Sequence, residues 1–177
     1  MNNNATESGH LLVVVDMQED FVRGSLATPE AQAIIPAMIE KIRAHKGPLA
    51  YTLDTHSEDY LSTSEGTHLP VVHCVKGEEG HQLIAELKDL LKGAEVFEKP
   101  TFGSVALGER IRDDERLAEV ELVGVCTDIC VVSNALLIKA MRPELVVRVD
   151  PTCCAGTTTE RHLASIETMK SCQIEGL

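Results

Sequence analysis

The feature that most constrains this chain is a recurring pair: a short apolar run of strand length, then a stretch with apolar residues at helical spacing. The first run, His10–Val15, is continuously apolar and closed by Asp16, which is the pattern of a strand buried on both faces. Residues 31–45 then place Ile34, Ile35, Met38, Ile39 and Ile42 on one helical face and stop ahead of Gly47-Pro48, so an amphipathic crossover helix is expected there. Further strands are predicted over 49–53, 94–98, 120–125 and 145–149. Helices are predicted over 82–91, 105–112, 128–141 and 159–171. Strands alternating with helices make an α/β fold, here a single-domain open parallel sheet with helices on both faces and right-handed crossovers. Residues 1–9 are polar and expected to be a flexible tail, leaving residues 10–177 as the domain.

A length of 177 residues with 44% hydrophobic content supports one sizeable core. No repeat, low-complexity tract or Pro/Gly-rich linker divides it. The 28 acidic residues outnumber 16 basic ones, and the resulting net charge of -12 repels nucleic acid and anionic lipid, so neither is an expected partner. The opening MNNNATESGH has no basic segment followed by an apolar run. Six cysteines in a chain of this size, with no secretory signal, are expected to be reduced thiols in the cytoplasm.

Cys130 falls just after the predicted strand 120–125, in the first turn of the next helix, which Thr127 or Asp128 can cap. There the helix dipole and unpaired amides favour a thiolate, and the same amides can hold an oxyanion. The plain alternative is a small buried hydrophobe, the usual state of a free cysteine. That structural role is expected for Cys74, Cys153, Cys154 and Cys172, with Cys153 and Cys154 in a loop after Pro151. Asp16 and Lys99 follow the first and third strands, so both are expected at the carboxyl edge of the sheet, where open α/β sheets bind ligands. If they converge on Cys130, Asp16 can take the thiol proton while Lys99 keeps that carboxylate ionised.

Asp54 ends the second strand, and His56, two residues on, points the same way in extended chain. The long loop 55–80 adds Glu65 and His73, with Glu58 and His68 as rival ligands. Two imidazoles with two carboxylates suit zinc, iron or manganese rather than calcium. A loop of that length in a compact domain is itself a functional candidate. His81 and His45 read as surface or capping residues.

The stretches Asp16-Met17-Gln18-Glu19-Asp20-Phe21, Gly24-Ser25-Leu26, Asp54-Thr55-His56, His73-Cys74-Val75-Lys76-Gly77, Lys99-Pro100-Thr101-Phe102 and Gly124 to Val131 occur in this order. Together they resemble the nicotinamidase branch of the isochorismatase-like cysteine hydrolase superfamily, from about Leu11 to the end. The resemblance implies Asp16, Lys99 and Cys130 as catalytic triad and Asp54, His56, Glu65 and His73 as ligands of one divalent metal, zinc foremost. It also implies an oxyanion hole from the Cys126 and Cys130 amides, with a non-proline cis peptide before Cys126. Phe21 matches a pocket aromatic, and Phe102 is a second pocket candidate. The implied reaction is hydrolysis of a small-molecule amide, nicotinamide foremost, through a cysteine thioester, in a homo-oligomer.

Two departures bear on substrate. Glu19 stands where the motif usually carries asparagine, and Leu69-Pro70-Val71-Val72 lacks the aromatic often found before the second histidine. With 3% aromatics and no tryptophan, little stacking surface is available. Amidases for carbamoyl or ureido compounds share the triad but generally lack the metal set, so Asp54, His56 and His73 weigh against that reading. Cys130 weighs against the vinyl-ether-cleaving isochorismatase type proper. A non-catalytic metal-binding or redox-sensing protein is the alternative of another class.

Overall fold

The computed structural model describes residues 9–177, and the expected N-terminal tail lies outside the described residues except for Gly9. Five strands, β1 (His10–Val15), β2 (Leu49–Asp54), β3 (Glu95–Lys99), β4 (Glu119–Val125) and β5 (Val146–Ala155), form one all-parallel sheet in the order β3-β2-β1-β4-β5. This is the expected α/β architecture. Successive β1 side chains feed opposite faces, as a strand's alternation requires. Leu12 and Val14 join one core with Met38, Ile42, Ile84 and Leu87, whereas Leu11, Val13 and Val15 join another with Leu107, Ile111, Ile138 and Met169.

The helices are α1 (Glu19–Val22), α2 (Pro29–Ala33), α3 (Ile35–Ala44), α4 (Ser64–His68), α5 (Ala85–Lys88), α6 (Val105–Asp113), α7 (Val132–Met141) and α8 (Thr159–Ser171). Two helices and one strand differ from expectation as follows. The helix expected over 31–45 is broken at Ile34 into α2 and α3, because Pro36 offers no N–H to the preceding turn. The helix expected over 82–91 shrinks to α5, since Leu83 is drawn into an antiparallel bridge with Gln18. The strand expected to stop at Val149 runs on to Ala155 past an irregularity opposite β4, so Cys153 and Cys154 are buried strand residues rather than loop.

The long connection after β2 is not structureless: it holds a 3-10 turn at Tyr60–Ser62, α4, and a bridge from His56 to Val75. The strand order reverses between β1 and β4, and such a switch point opens a crevice beyond the strands' carboxyl ends. Gly124 lets the two strands close there. Its φ is +124° and a Cβ on it would meet the Val15 carbonyl oxygen at 2.1 Å. Among the described residues no helix is long and apolar enough to cross a membrane.

Candidate active site

Three strand ends meet at the switch point. Asp16 leaves β1 fully buried, with φ +49°, a left-handed conformation costly for a residue with a Cβ and characteristic of functional sites. Thr52 of β2 holds it: the Thr52 hydroxyl donates to Asp16 Oδ1 at 2.6 Å, and the Asp16 N–H lies 3.2 Å from Thr52 Oγ1. Lys99, at the end of β3 and 1% exposed, directs Nζ to three acceptors, Asp16 Oδ2 at 2.7 Å, Asp54 Oδ1 at 3.2 Å and Cys130 Sγ at 3.4 Å. The expected trio therefore converges.

Cys130 follows β4 as predicted, but in a π-turn, Thr127–Val131, rather than the first turn of an α-helix. The Ile129 and Val131 amides donate to the Cys126 carbonyl, and a cis peptide joins Val125 to Cys126. Neither Thr127 nor Asp128 caps the turn; Asp128 instead accepts from the Thr157 N–H at 2.8 Å and its hydroxyl at 2.6 Å.

Electrostatics here differ from the simple dipole picture. Burial first, and the Asp16 charge second, push the Cys130 thiol well above its ordinary value. Burial likewise pushes the Asp16 carboxyl up against the pull of Lys99. Burial would lower Lys99, but the carboxylates of Asp16 and Asp54 hold it raised.

Next to this trio, one ligand atom each from Asp54, His56, Glu65 and His73 falls within 4.8 Å of the others. His56 Nε2 and His73 Nε2 lie 3.0 and 3.4 Å from Asp54 Oδ2, and 3.8 and 3.7 Å from Glu65 Oε1. These spacings suit donors about 2.1 Å from a shared ion. The tautomer fits as well: His73 Nδ1 donates to the Val71 carbonyl at 2.7 Å, which leaves Nε2 with its lone pair toward the cluster. The residues present thus fit a divalent metal. Glu58 is exposed and outside the cluster, and His68 turns Nδ1 to the Ser64 carbonyl, so Glu65 is the carboxylate that completes the group.

Sequence reasoning missed three residues that shape the site. Gln18, fully buried, accepts the Asp54 N–H at 2.7 Å and donates to the carbonyls of Asp54 and His81 at 2.8 and 2.9 Å. It fixes the end of β2; its only sequence signal was its place inside the motif at Asp16. Thr52 was visible only as a lone polar residue in a strand. Tyr60, buried, sets its ring 4.7 Å from His56 and 4.9 Å from His73, and its hydroxyl donates to the Leu69 carbonyl. His81, expected at the surface, is buried with Nε2 2.9 Å from Thr55 Oγ1 because the 3-10 turn at Glu79–His81 packs against α1. His45 keeps its expected place at a helix end, with Nε2 near the Pro48 carbonyl.

Cys130 of the trio, with Asp54, Glu65 and His73 of the cluster, lines one cleft of about 730 Å³, within the range that encloses small organic ligands. Phe21 and Phe102 both line it, as do Cys126, Cys130, Asp54 and Glu65. Phe21 is buried with its ring 5.7 Å from that of His73, whereas Phe102 is exposed at the mouth.

Residues 10–175 match the isochorismatase domain family, and the chain belongs to it. Within that family it is nicotinamidase-like, an enzyme of the amidohydrolase class. It is 27% identical over 181 residues to the nicotinamidase/pyrazinamidase of Mycobacterium tuberculosis, covering 93% of this chain and 96% of that protein. The pyrazinamidase of Pyrococcus horikoshii, solved in complex with zinc, is 29% identical with a TM-score of 0.81, covering 94% of this chain and 97% of that one. The pyrazinamidase/nicotinamidase of Streptococcus mutans is 27% identical with a TM-score of 0.78, covering 93% and 97%.

Proposed function

We propose that the protein hydrolyses nicotinamide, or a closely similar heteroaromatic carboxamide, to the carboxylate and ammonia through a Cys130 thioester. The observation that carries this reading is the Lys99 ammonium 2.7 Å from Asp16 and 3.4 Å from Cys130, beside four metal-competent donors. Retention of that donor set favours it over a carbamoyl or ureido substrate.

The resting thiol needs a base at the moment of attack, and Asp16 is placed to be that base. Cys130 Sγ adds to the carboxamide carbon as its proton passes to Asp16, and the Cys126 and Cys130 amides hold the oxyanion. Asp16 returns the proton to the amide nitrogen, the C–N bond breaks and ammonia leaves. Water then adds to the thioester with Asp16 again as base, which releases the carboxylic acid and restores the thiol. Lys99 steadies the anionic form of whichever partner, Asp16 or Cys130, holds the charge. Asp54, His56, Glu65 and His73 would hold a divalent ion, zinc first among candidates, which supplies a Lewis-acid anchor for a ring nitrogen. Six free thiols support, on this reading, a reducing compartment such as the cytoplasm.

Ammonia release from nicotinamide, compared between the protein and Cys130→Ala, tests the reading. Release that disappears in the variant is expected. Equal release from both would exclude Cys130 as the nucleophile, and release from neither would exclude nicotinamide.

A further inference from the structure

Among eight arginines in a chain of net charge -12, a carboxylate partner is the rule. Arg23, Arg43, Arg110, Arg112, Arg116 and Arg148 each face one. Arg142 is engaged by the carbonyls of Ile111, Asp114 and Leu117. Arg161 differs: among the described residues its guanidinium meets no carboxylate, only the Thr157 hydroxyl oxygen at 3.4 Å, and it lines the cleft that contains Cys130.

Its position relative to the nucleophile is built rather than incidental. The Asp128 carboxylate, two residues before Cys130, binds both the N–H and the hydroxyl of Thr157. Thr127 Oγ1 lies 2.8 Å from His162 Nδ1. These contacts tie the start of α8 to the π-turn, and the Thr158 hydroxyl caps that start by accepting the Arg161 N–H. Because the Thr157 hydroxyl hydrogen is committed to Asp128, its oxygen accepts from Arg161 and steadies the guanidinium at the cleft wall. The cleft also exceeds what a single pyridine ring fills, and so leaves space for a second polar substituent.

We propose that Arg161 is a specificity-determining residue that selects carboxamide substrates bearing a second, anionic group, a carboxylate that the guanidinium fork can engage through two parallel N–H donors. The inference rests on the carboxamide reading for its substrate class and on Arg161 alone for its anion.

The test uses three amides: nicotinamide, the same ring with a carboxylate at position 5, and that ring with one methylene before the carboxylate. Ammonia release gives the ratio of kcat/KM for each charged amide over nicotinamide. In Arg161→Gln the higher ratio is expected to fall at least about tenfold, chiefly through KM, with partial recovery in Arg161→Lys. A ratio unchanged for both charged amides overturns the proposal. Calorimetric binding of the same amides to the Cys130→Ala protein separates the two readings. Tighter binding of a charged amide that is lost with Arg161→Gln supports the anion site even if no amide is cleaved, the result that would sink the carboxamide reading. Binding of the charged amides that is indifferent to Arg161 sinks the anion site, including the case in which the metal alone holds the carboxylate.

Discussion

The Lys99 ammonium donates to Asp54 Oδ1 at 3.2 Å. Through that contact one cation joins Cys130 and Asp16 to the metal-competent cluster, so the two halves of the site share a charge balance. Lys99→Met would leave Asp16 and Asp54 buried without their counter-ion. The expected outcomes are near-complete loss of activity and destabilisation by about 3 to 5 kcal/mol in urea unfolding. Removing a positive charge beside Asp54 should also tighten zinc binding in a competition titration. Weaker zinc binding in a folded Lys99→Met protein would contradict this linkage.

Metal binding to the four-donor cluster stabilises the folded chain only if the donors are preassembled. Zinc at 100 times its dissociation constant should raise stability by about 2.7 kcal/mol, seen as an upward shift in Tm. His56→Ala should abolish that shift and the roughly one ion per chain found by elemental analysis. A retained shift would place the ion elsewhere.

Burial and the Asp16 charge push the Cys130 thiol up, so on the proposed mechanism its reactivity depends on Asp16 as base. In a Cys172→Ser background, which removes the exposed thiol, iodoacetamide should label Cys130 first. Asp16→Asn should slow that labelling by about 10²-fold or more, read by peptide mass spectrometry. Labelling at an unchanged rate would show that Asp16 is not the base.

Thr52 donates to Asp16 Oδ1 and thereby favours its ionised form. Thr52→Val removes the donor, so the Asp16 carboxyl should rise further and the acid limb of the kcat/KM profile should move to higher pH. A limb that stays put, or moves down, would contradict the assignment of that limb to Asp16.

Far from the site, burial would push the Asp150 carboxyl up, but the Lys41 ammonium at 2.7 Å, together with Thr152, holds it below the usual carboxylate range. A depressed folded value contributes stability that is present above the unfolded value of about 3.9 and is lost as pH falls through the folded one. The pair is partly solvated, so Asp150→Asn should cost no more than about 1 kcal/mol at pH 7. The gap between variant and parent should close as pH drops below about 4. A gap that is constant with pH would show that packing, not charge, is lost.

How much of this was legible depends on what each residue signals locally. Asp16, Asp54 and Lys99 were readable because a charge that closes an apolar run lies at a strand's carboxyl end, and parallel strands bring those ends together. His56 and Glu65 were readable as ligand types, but choosing Glu65 over Glu58 needed the fold of α4. Gln18 and Tyr60 were not legible, because a buried amide or phenol acts through partners distant in sequence, such as His81 for Gln18 and His73 for Tyr60. The upward push on the Cys130 thiol was not legible, since burial depends on the whole enclosure, whereas the dipole argument sees only the turn. The break at Ile34 could have been anticipated from Pro36; the extension of β5 past Pro151 could not, because edge strands tolerate proline where no ladder bond is needed.

The placement of β4 beside β1, with Val13 opposite Leu122, has a consequence for the order of events during synthesis. A ribosome delivers the proposed base, counter-ion and metal donors by Lys99, but the proposed nucleophile only 31 residues later. No nascent segment that lacks β4 can carry out the reaction, and the chain acquires reactivity only when its later half docks on strands already made. Cys130 therefore meets Asp16 only when the π-turn after β4 docks beside β1, so the pair is assembled and enclosed in one step.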